Sequence, residues 1–598
     1  MTNVKWKLGI IAGIISAVFA LYPQMKLIYM RGGEWQGNYA FNDIDEVAYA
    51  SYLRALIDGR PRKNDPYTGR DESKETPQPE SLFSIQFAAP YLVAIPARVL
   101  GIGAPWAMTI AGAFAGFALA FAVFWLAARI TDDSWFAMMS GIMVVSGGAL
   151  AAGEGAIGEI FGTGFSYPYF PGLRRYIPAI AIPVFFVLCL ALWNLVNSSE
   201  NKTRFIFGSI GVAGFGFMVF SYFYIWTTAA AWLGCLGLLW IAVRPEGFAR
   251  DFRAFSAIGA GCVSLLLPYA YLLSKRAESM DNVQLLVKTH APDFSRFPLY
   301  IAIFVLVILI AGILIKTITI KERAPLFAAS FALTVIVVFN QQVVTGHALQ
   351  PIHYQVFIGN YVAALALVLS LGLVLRPLML KRELLARVVI SIFSLLFVIW
   401  GFVECHYTVR VLDDANIIRD KGIPVAKRLE ELGADLGNKQ TVLSFSMTQA
   451  DDLPTIAPQN VLWARHQHVF AGLSWEESKE RYYQYLYYSN VDENSLAERL
   501  KDGDYVSMIA LFGWGRHSSR LSSEATPLKY HEIDEEALKY GNYRRNFGLK
   551  EASNPVISFV VVPQKWNGDL SIVDQWYDRD NGESLGDYVL YKVKLKEQ

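Results

Sequence analysis

The sequence has little charge and little cysteine for its length. Charged residues are 18% of its 598 residues, whereas an average soluble domain has about 25%. Lysine and arginine are nowhere gathered into a block, and there is no acidic tail. Of the four cysteines, only Cys405 falls outside an apolar run. The sequence therefore predicts no nucleic-acid partner, and it offers neither a disulfide framework nor redox chemistry.

Motifs that define other classes of protein are also missing. The last third of the chain contains no P-loop, no glycine-rich dinucleotide fingerprint after a strand, and no nucleophile–base arrangement. The chain has no internal repeat, and few charges fall within its apolar runs. Secondary transporters commonly have paired repeats and polar or broken helices at mid-membrane. The lack of both counts against a transporter or flippase of lipid-linked sugars, which stays open as an alternative.

The sequence is rich in long apolar runs. Hydrophobic residues are 54% of the chain, and they come in runs of about 20 residues, the helix length that crosses a hydrocarbon core about 30 Å thick. Residues 82–100 are apolar as well, but Pro90 and Pro96 interrupt them, which favours an interfacial or re-entrant helix. A turn is expected near Ser221–Trp226, within the longest run. The sequence predicts about eleven membrane helices, at 8–24, 104–128, 136–152, 177–196, 205–221, 225–243, 254–273, 299–317, 325–343, 356–375 and 388–404.

The charges between the apolar runs predict the orientation. Alternate loops, counted from the N-terminus, carry most of the lysine and arginine, and the loop 344–355 has none. By the positive-inside rule the N-terminus is cytoplasmic and the C-terminal domain is extracytoplasmic, in a multi-pass protein of the cell's inner (plasma) membrane. The first segment has a second interpretation as a signal peptide, because Lys5 and Lys7 precede a short apolar run. Its cleavage would not alter the topology of the rest.

The chain divides into two predicted domains near residue 404, where the long apolar runs stop. Residues 1–404 form a polytopic α-helical membrane bundle with a long first outer loop at 25–103. Residues 405–598 form a soluble α/β domain with a buried sheet. The pattern of this domain predicts helices at Ile423–Gly433 and Trp475–Tyr488, and strands at Val442–Phe445, Val461–Ala464, Tyr505–Leu511, Ile557–Val562 and Tyr588–Val593.

The first outer loop opens with a cluster of acids. Asn42, Asp43, Asp45 and Glu46 precede an apolar helical pattern. A helix that begins near Asn42 or Asp43 would place these side chains at the membrane surface. A carboxylate held there can accept a proton from a sugar hydroxyl while a lipid-bound donor lies alongside. Simple helix capping by Asn42, Asp43 and Asp45 explains the same residues.

The loop between the third and fourth predicted helices carries further candidates. Glu154 and Glu159 stand among glycines, where acids can approach a phosphate-bound metal, and a solvated loop explains them equally well. Arg174 and Arg175 follow in the same loop and break the positive-inside pattern. An arginine fork matches phosphate oxygens, while a long side chain at a helix edge also extends toward water.

The loop at 340–354 is rich in neutral polar side chains that suit a sugar or a phosphate, among them Gln350 and His353. His347 and His353 are six residues apart, which is not a regular zinc-ligand spacing on a helix. A second polar patch, in the C-terminal domain, can face the bundle and consists of Arg465, His466 and His468.

Together these features resemble the glycosyltransferase C superfamily. Its multispanning enzymes use polyprenyl-phosphate sugars and include the protein O-mannosyltransferases and the aminoarabinose transferases of lipid A. More specifically, the chain resembles a bacterial branch of that superfamily without a defined substrate. The matching stretches are Asp45-Glu46-x-x-Tyr49, Asn64-Asp65-Pro66-Tyr67, Pro77-Gln78-Pro79-Glu80, the polar segment from Asn340 to Tyr354, and Val461-Leu462-Trp463-Ala464-Arg465-His466.

The resemblance implies that an acidic residue at the start of the first outer loop is the general base or the organiser of the site. Asp45 with Glu46 is the match, and Asp43 is a further catalytic candidate. The candidates for binding the donor phosphate or the substrate are Arg174, Arg175, His353, Gln350, Glu80, Glu154 and Glu159.

The leading hypothesis is a membrane glycosyltransferase that moves a hexosyl or pentosyl group from a polyprenyl-phosphate carrier to an extracytoplasmic glycan, lipid or protein. A monophosphate donor needs no metal if cationic side chains take its charge, whereas a diphosphate donor would call for a divalent cation. Besides the transporter, a non-catalytic membrane scaffold and an O-antigen ligase or polymerase remain alternatives. The scaffold leaves the acidic first loop unexplained.

Overall fold

The computed structural model describes residues 4–167, 170–278, 280, 286–433, 440–513, 516 and 528–597. Each span predicted from the sequence coincides with a helix, so the polytopic helical bundle is confirmed. The corresponding helices are Trp6–Arg31, Ala104–Thr131, Ser134–Ser146 (followed by Gly148–Ala152), Ala181–Asn197, Asn201–Val219, Phe223–Val243, Phe248–Leu273, Phe297–Leu314, Arg323–Asn340, Asn360–Lys381 and Glu383–Val409.

Within the described residues, nine helices are long and apolar enough to cross a membrane. Two predicted spans fall outside that set. Ser134–Ser146 is only 13 residues long, and Asn201–Val219 begins with the polar residues of 201–204. The Arg204 side chain in that segment is buried, with Nη1 3.0 Å from Oδ1 of the buried Asp251. The predicted count of about eleven is therefore higher than length and composition support.

The proline-interrupted segment forms two short helices, Leu82–Ile85 and Ala88–Leu100. Ala88–Leu100 has 13 residues, about 20 Å at 1.5 Å per residue, which is too short to cross a hydrocarbon core. It packs against Glu46–Ile57, the helix of the first outer loop. Its other face exposes Leu92, Ile95 and Val99. A short helix with one exposed apolar face fits the expected interfacial position.

The C-terminal domain is built on a six-stranded sheet. Its strands run in the order Asn460–Val461, Thr441–Ser444, Ile557–Pro563, Tyr588–Leu595 and Tyr577–Arg579, with Glu583–Leu585 also paired to Tyr588–Leu595. The first three strands are parallel, and Tyr588–Leu595 is antiparallel to its neighbours. The helices of this domain are Asp413–Lys421, Ile423–Gly433, Met447–Asp452, Trp475–Tyr488, Glu493–Lys501, Tyr505–Phe512, Tyr530–Arg545, Leu549–Ala552 and Ser571–Trp576.

Three local predictions are wrong. Residues Tyr505–Leu511 form a helix, Tyr505–Phe512, because Asp504 caps it by accepting a hydrogen bond from the backbone N–H of Val506 at 3.2 Å. A short buried apolar run does not distinguish a strand from a helix by its period. The predicted strand 461–464 is reduced to Asn460–Val461.

The third error is the start of the first-loop helix, which begins at Glu46 and not near Asn42 or Asp43. The Glu46 carboxylate accepts a hydrogen bond from the backbone N–H of Asn42 at 3.0 Å. The Asp43 carboxylate accepts one from the backbone N–H of Asp45 at 3.1 Å. These bonds hold residues 42–45 in a turn before the helix, since they satisfy the backbone outside a helical ladder.

Residues of the C-terminal domain hold the first outer loop in place through hydrogen bonds. Asp420, which is fully buried, accepts hydrogen bonds from the Nε of Arg31 and the backbone N–H of Gln36, both at 2.9 Å. The Asn416 side chain accepts from the backbone N–H of Phe41 at 2.9 Å and donates to its carbonyl at 2.8 Å. The chain leading to the acidic turn is thus held by residues about 375 positions away.

Candidate active site

A cavity of about 340 Å³ lies between the helical bundle and the C-terminal domain. This volume is within the range of small-molecule sites in proteins, about 300–1,000 Å³. On the bundle side its polar and aromatic lining includes Asp45, Tyr49, Phe83, Gln86, Tyr167, Arg174, Arg175, Tyr222, Phe223, Tyr224, Gln350 and His353. The C-terminal domain contributes Trp463, Arg465, His466, His468, Trp475, Ser478 and Tyr505.

Asp45 presents its carboxylate to this cavity. Asp45 is the residue immediately before the first-loop helix, but its side chain makes no capping hydrogen bond. The side chain is 54% exposed, and it lies among the residues that line the cavity. Its Oδ1 is 3.4 Å from Nε2 of His466. The protein walls of the cavity displace part of the water around Asp45 and oppose its ionisation, but the hydrogen bond and charge of His466, followed by the charges of Arg174 and Arg175, hold its pKa well below the usual range.

His466 is itself held by a buried carboxylate. Its Nδ1 is 3.0 Å from Oδ2 of Asp451, and its backbone N–H donates to Oδ1 of Asp451 at 3.2 Å. Arg465 donates from Nε to the same carboxylate at 2.9 Å. Burial raises the pKa of Asp451, but His466 and Arg465 outweigh it and lower the pKa to about 2. Burial lowers the pKa of His466, but Asp451 and Asp45 outweigh it and raise the pKa to about 9.

Arg174 and Arg175 place two buried guanidinium groups at the cavity. Arg174 is 3% exposed, with Nη1 2.5 Å from Oδ2 of Asp43. Arg175 is 4% exposed, and its guanidinium lies 3.7 Å from the centroid of the Tyr49 ring. In both, Nε and Nη1 have no hydrogen-bond acceptor of suitable geometry among the described residues. Arg174 is nevertheless ion-paired with Asp43, whereas Arg175 has no such partner among the described residues. A buried cationic donor without an acceptor is costly, so the free donors of Arg175 suit an anionic ligand.

Gln350 and His353 lie beside these arginines on the cavity wall. The Oε1 of Gln350 accepts a hydrogen bond from the Tyr224 hydroxyl at 3.3 Å. Gln350 has a φ of 25°, a sparsely populated backbone conformation that is often found at functional sites. The His353 ring lies edge-on to Tyr224 at 4.8 Å, and its Nδ1 has no hydrogen-bond partner within the described part of the chain. Both side chains therefore have polar atoms available to a ligand.

The other candidates predicted from the sequence do not line the cavity. Glu80 accepts hydrogen bonds from Arg62 and from Ser84, both at 2.6 Å. Glu154 accepts from the backbone N–H of Ser166 at 2.7 Å, and Glu159 pairs with Arg410 at 2.5 Å. Asp43 and Glu46 lie behind the cavity wall, next to Arg174. Their proposed roles as catalytic residues stay predictions.

The described side chains do not fit the divalent cation that was considered from the sequence. Over the described ranges, no group of three or more His, Cys, Asp or Glu side chains is arranged to hold a metal ion. The carboxylates at the site are instead directed at cationic side chains: Asp43 at Arg174, and Asp45 at His466. Charge at this site is balanced by arginine and histidine.

Glu46 gives a pH-dependent prediction. It is fully buried, and burial raises the pKa of its carboxyl to about 8 although Arg174 and Arg175 lower it. The folded protein therefore binds a proton more tightly than the unfolded chain, in which the pKa is near 4.5, and Glu46 destabilises the fold as the pH rises from 4.5 to 8. We expect Glu46→Gln to gain stability relative to wild type over this interval, by at most about 1.4 kcal/mol per pH unit.

Thermal unfolding in detergent at pH 5 and pH 8 measures this difference. Glutamine keeps an oxygen for the Asn42 N–H, so the variant preserves the turn. Glu498→Gln, at an exposed position of the C-terminal domain, is the matched control and should follow wild type at both pH values. A constant Tm difference between Glu46→Gln and wild type would contradict the raised pKa.

Asp451 is a site residue that the sequence did not indicate. It belongs to a short polar helix after a strand, and nothing near it in sequence marks it as different from its neighbour Asp452. The sequence did suggest a polar patch of Arg465, His466 and His468, and all three line the cavity. The pairing of His466 with Asp45 spans 421 positions and has no local sequence signal.

The overall architecture is a polytopic helical membrane bundle with a C-terminal α/β domain. No protein-family model and no curated protein match the chain. Among solved structures, ArnT from Cupriavidus metallidurans in the apo state is similar over 96% of this chain and 97% of its own, at 11% identity and a TM-score of 0.47. The same protein bound to undecaprenyl phosphate matches at 12% identity and a TM-score of 0.47, over 95% of this chain and 96% of that one.

The archaeal oligosaccharyltransferase AglB from Archaeoglobus fulgidus, in complex with an inhibitory peptide and a dolichol-phosphate, also matches. It aligns with 99% of this chain and 74% of its own, at 10% identity and a TM-score of 0.45. At these identities and TM-scores, the function of this chain has to be decided from its own side chains.

Proposed function

We propose that the protein transfers a sugar from a polyprenyl-phosphate carrier to a hydroxyl acceptor on the outer side of the membrane. The observation that supports this most directly is the content of one cavity, which holds the Asp45 carboxylate together with the buried guanidinium groups of Arg174 and Arg175. A carboxylate can receive a proton, and arginine binds phosphate through paired donors. Glycosyl transfer from a phosphate uses a group that takes the acceptor proton and a group that stabilises the departing phosphate.

The reaction is a single displacement at the anomeric carbon, with inversion of its configuration. The acceptor oxygen forms the new glycosidic bond while the bond from the anomeric carbon to the phosphate oxygen breaks. Asp45 takes the hydroxyl proton. The bonding electron pair leaves with polyprenyl phosphate, and Arg174 and Arg175 stabilise the negative charge that the phosphate gains.

The rest of the lining suits the other parts of the two substrates. Leu82, Phe83, Phe223, Met280 and Ile352 form an apolar portion of the wall that can pack on the isoprenoid chain. Gln350 and His353 supply polar contacts for sugar hydroxyls. With the C-terminal domain on the outer face of the inner (plasma) membrane, the acceptor is a cell-envelope glycan, a lipid or a protein.

The test uses the full-length protein in proteoliposomes with a panel of radiolabelled polyprenyl-phosphate sugars. The expected result is release of free polyprenyl phosphate that depends on added membrane extract as the source of acceptor. Parallel assays with polyprenyl-diphosphate sugars, with and without Mg²⁺, separate the two donor types. If correctly folded wild type releases nothing from any donor, the transferase is excluded. A labelled lipid that crosses the bilayer unchanged would instead identify a flippase.

A further inference from the structure

His466 joins the two parts of the protein at the acid of the first outer loop. It belongs to the C-terminal domain, yet its Nε2 lies 3.4 Å from Oδ1 of Asp45, which is 421 positions earlier. Its Nδ1 lies 3.0 Å from Oδ2 of Asp451. One imidazole ring therefore stands between two carboxylates that come from different domains.

The geometry favours a charged ring. A neutral imidazole has one N–H donor and one acceptor nitrogen, whereas a carboxylate only accepts hydrogen bonds. Both ring nitrogens of His466 face carboxylate oxygens, so only the doubly protonated ring can donate to Asp45 and Asp451 together. Asp451 is fully buried and holds its own orientation through Arg465 and through the backbone N–H of His466. The His466 ring is thus fixed before any substrate binds.

We propose that His466 is a positioning residue for the transfer reaction, an imidazolium that the C-terminal domain supplies to orient the Asp45 carboxylate. His466 donates a hydrogen bond to Oδ1 of Asp45, so Oδ2 remains to accept one from the acceptor hydroxyl. The acid of the first loop is then aligned only while the C-terminal domain is docked on the bundle. This inference rests on the proposed function and adds a residue and a domain to the same site.

The charged groups around His466 set the pH dependence. Asp45 and Asp451 contact the ring directly, and Arg465 pairs with Asp451. Asp452 and His468 interact with the ring electrostatically, and Arg174 and Arg175 act on Asp45. Because its folded pKa is about 9 and its ordinary value is 6.5, the stabilisation from His466 is fully present below pH 6.5. It is lost as the pH rises through 9.

The first experiment measures the pairing without any need for activity. Thermal unfolding of the full chain in detergent is followed at pH 6 and pH 9.5 for wild type, Asp45→Asn, His466→Gln and the double variant. We expect the two substitutions to be non-additive at pH 6 and close to additive at pH 9.5. His531→Gln, at an exposed position, is the control and should give no such difference. Additive effects at both pH values overturn the proposal.

The second experiment measures positioning in the transfer assay. For His466→Gln we expect kcat to fall about 10- to 100-fold, as is typical for loss of one charged hydrogen bond, with the donor KM unchanged. The fall in activity near pH 9 that titration of His466 causes in wild type should disappear in the variant. Asp451→Asn should also lower kcat, because the ring loses the group that holds it, and should move the fall in activity to lower pH, because Asp451 is what raises the pKa of His466 most.

The two experiments separate the inference from the function on which it rests. One outcome is that the unfolding cycle shows coupling between Asp45 and His466 while wild type shows no turnover. That result would disprove the proposed transferase function, and the positioning role of His466 in the reaction would be disproved with it. If His466→Gln turns over with the kcat and pH profile of wild type, the positioning role of His466 is disproved. The proposed transferase function is unaffected by that result. If His466→Gln does not fold, the Asp451→Asn variant decides between these outcomes.

Discussion

Replacing Asp45 with asparagine is expected to lower kcat by about 10²- to 10⁴-fold, the usual contribution of a positioned general base. This loss corresponds to about 3–5 kcal/mol of activation free energy. Asparagine has nearly the same shape as aspartate, but its amide does not take the proton of the acceptor hydroxyl. The side chain is 54% exposed and makes no capping hydrogen bond, so the fold has little reason to change.

Single-turnover transfer in proteoliposomes measures this effect, with donor binding measured separately. Donor affinity should stay within a few-fold of wild type, because the arginines proposed to bind the phosphate are unchanged. Asp502→Asn, an exposed acid of the C-terminal domain, is the matched control and should transfer at the rate of wild type. Turnover that survives in Asp45→Asn would move the base to Glu46 or Asp43, the two acids behind Asp45.

Replacing Arg175 with methionine is expected to raise the Kd for polyprenyl phosphate about 10- to 100-fold. Arg175 is buried, its Nε and Nη1 have no acceptor in the described structure, and no carboxylate pairs with it there. A hydrogen bond to a charged group contributes about 1.5–3 kcal/mol, which gives the expected range. Methionine keeps an apolar side chain of similar length over the Tyr49 ring, so the packing is preserved while the charge is removed.

Displacement of a labelled donor by polyprenyl phosphate gives the Kd directly. Arg410→Met is the matched control, because Arg410 also lies over a tyrosine ring, that of Tyr407, but does not line the cavity. Its affinity for polyprenyl phosphate should equal that of wild type. If Arg175→Met binds the phosphate as tightly as wild type does, the anion lies elsewhere and Arg174 alone has to be tested.

The membrane part of the fold could be predicted from the sequence because one physical requirement dominates it. An apolar run that crosses a membrane has to be a helix, since no water is present to satisfy its backbone. Each predicted span accordingly coincides with a helix. The same reasoning does not apply to Tyr505–Phe512, where a short apolar run in a soluble domain fits a strand or a helix and the Asp504 cap decides.

The candidate site was predictable only where chemistry is visible in one local segment. Asp45 stands in a run of acids at the start of a loop, and Arg174 and Arg175 stand where the positive-inside pattern excludes them. Their shared position at one cavity could be expected from the resemblance. The role of Asp451 could not be predicted, because it depends on the contact with His466 and on burial inside the other domain. Pairing across such a distance is a property of the tertiary structure.

The hydrogen bonds that Asn416 and Asp420 make to the first outer loop also have a consequence for biosynthesis. The loop leaves the ribosome hundreds of residues before its partners do. Until they are made, the backbone groups of Gln36 and Phe41 have to be satisfied by water or by other contacts. The acidic turn that follows reaches its final shape only after the last third of the chain has been synthesised and docked. A nascent chain in which only the membrane helices are complete therefore does not yet have the candidate site in its final form.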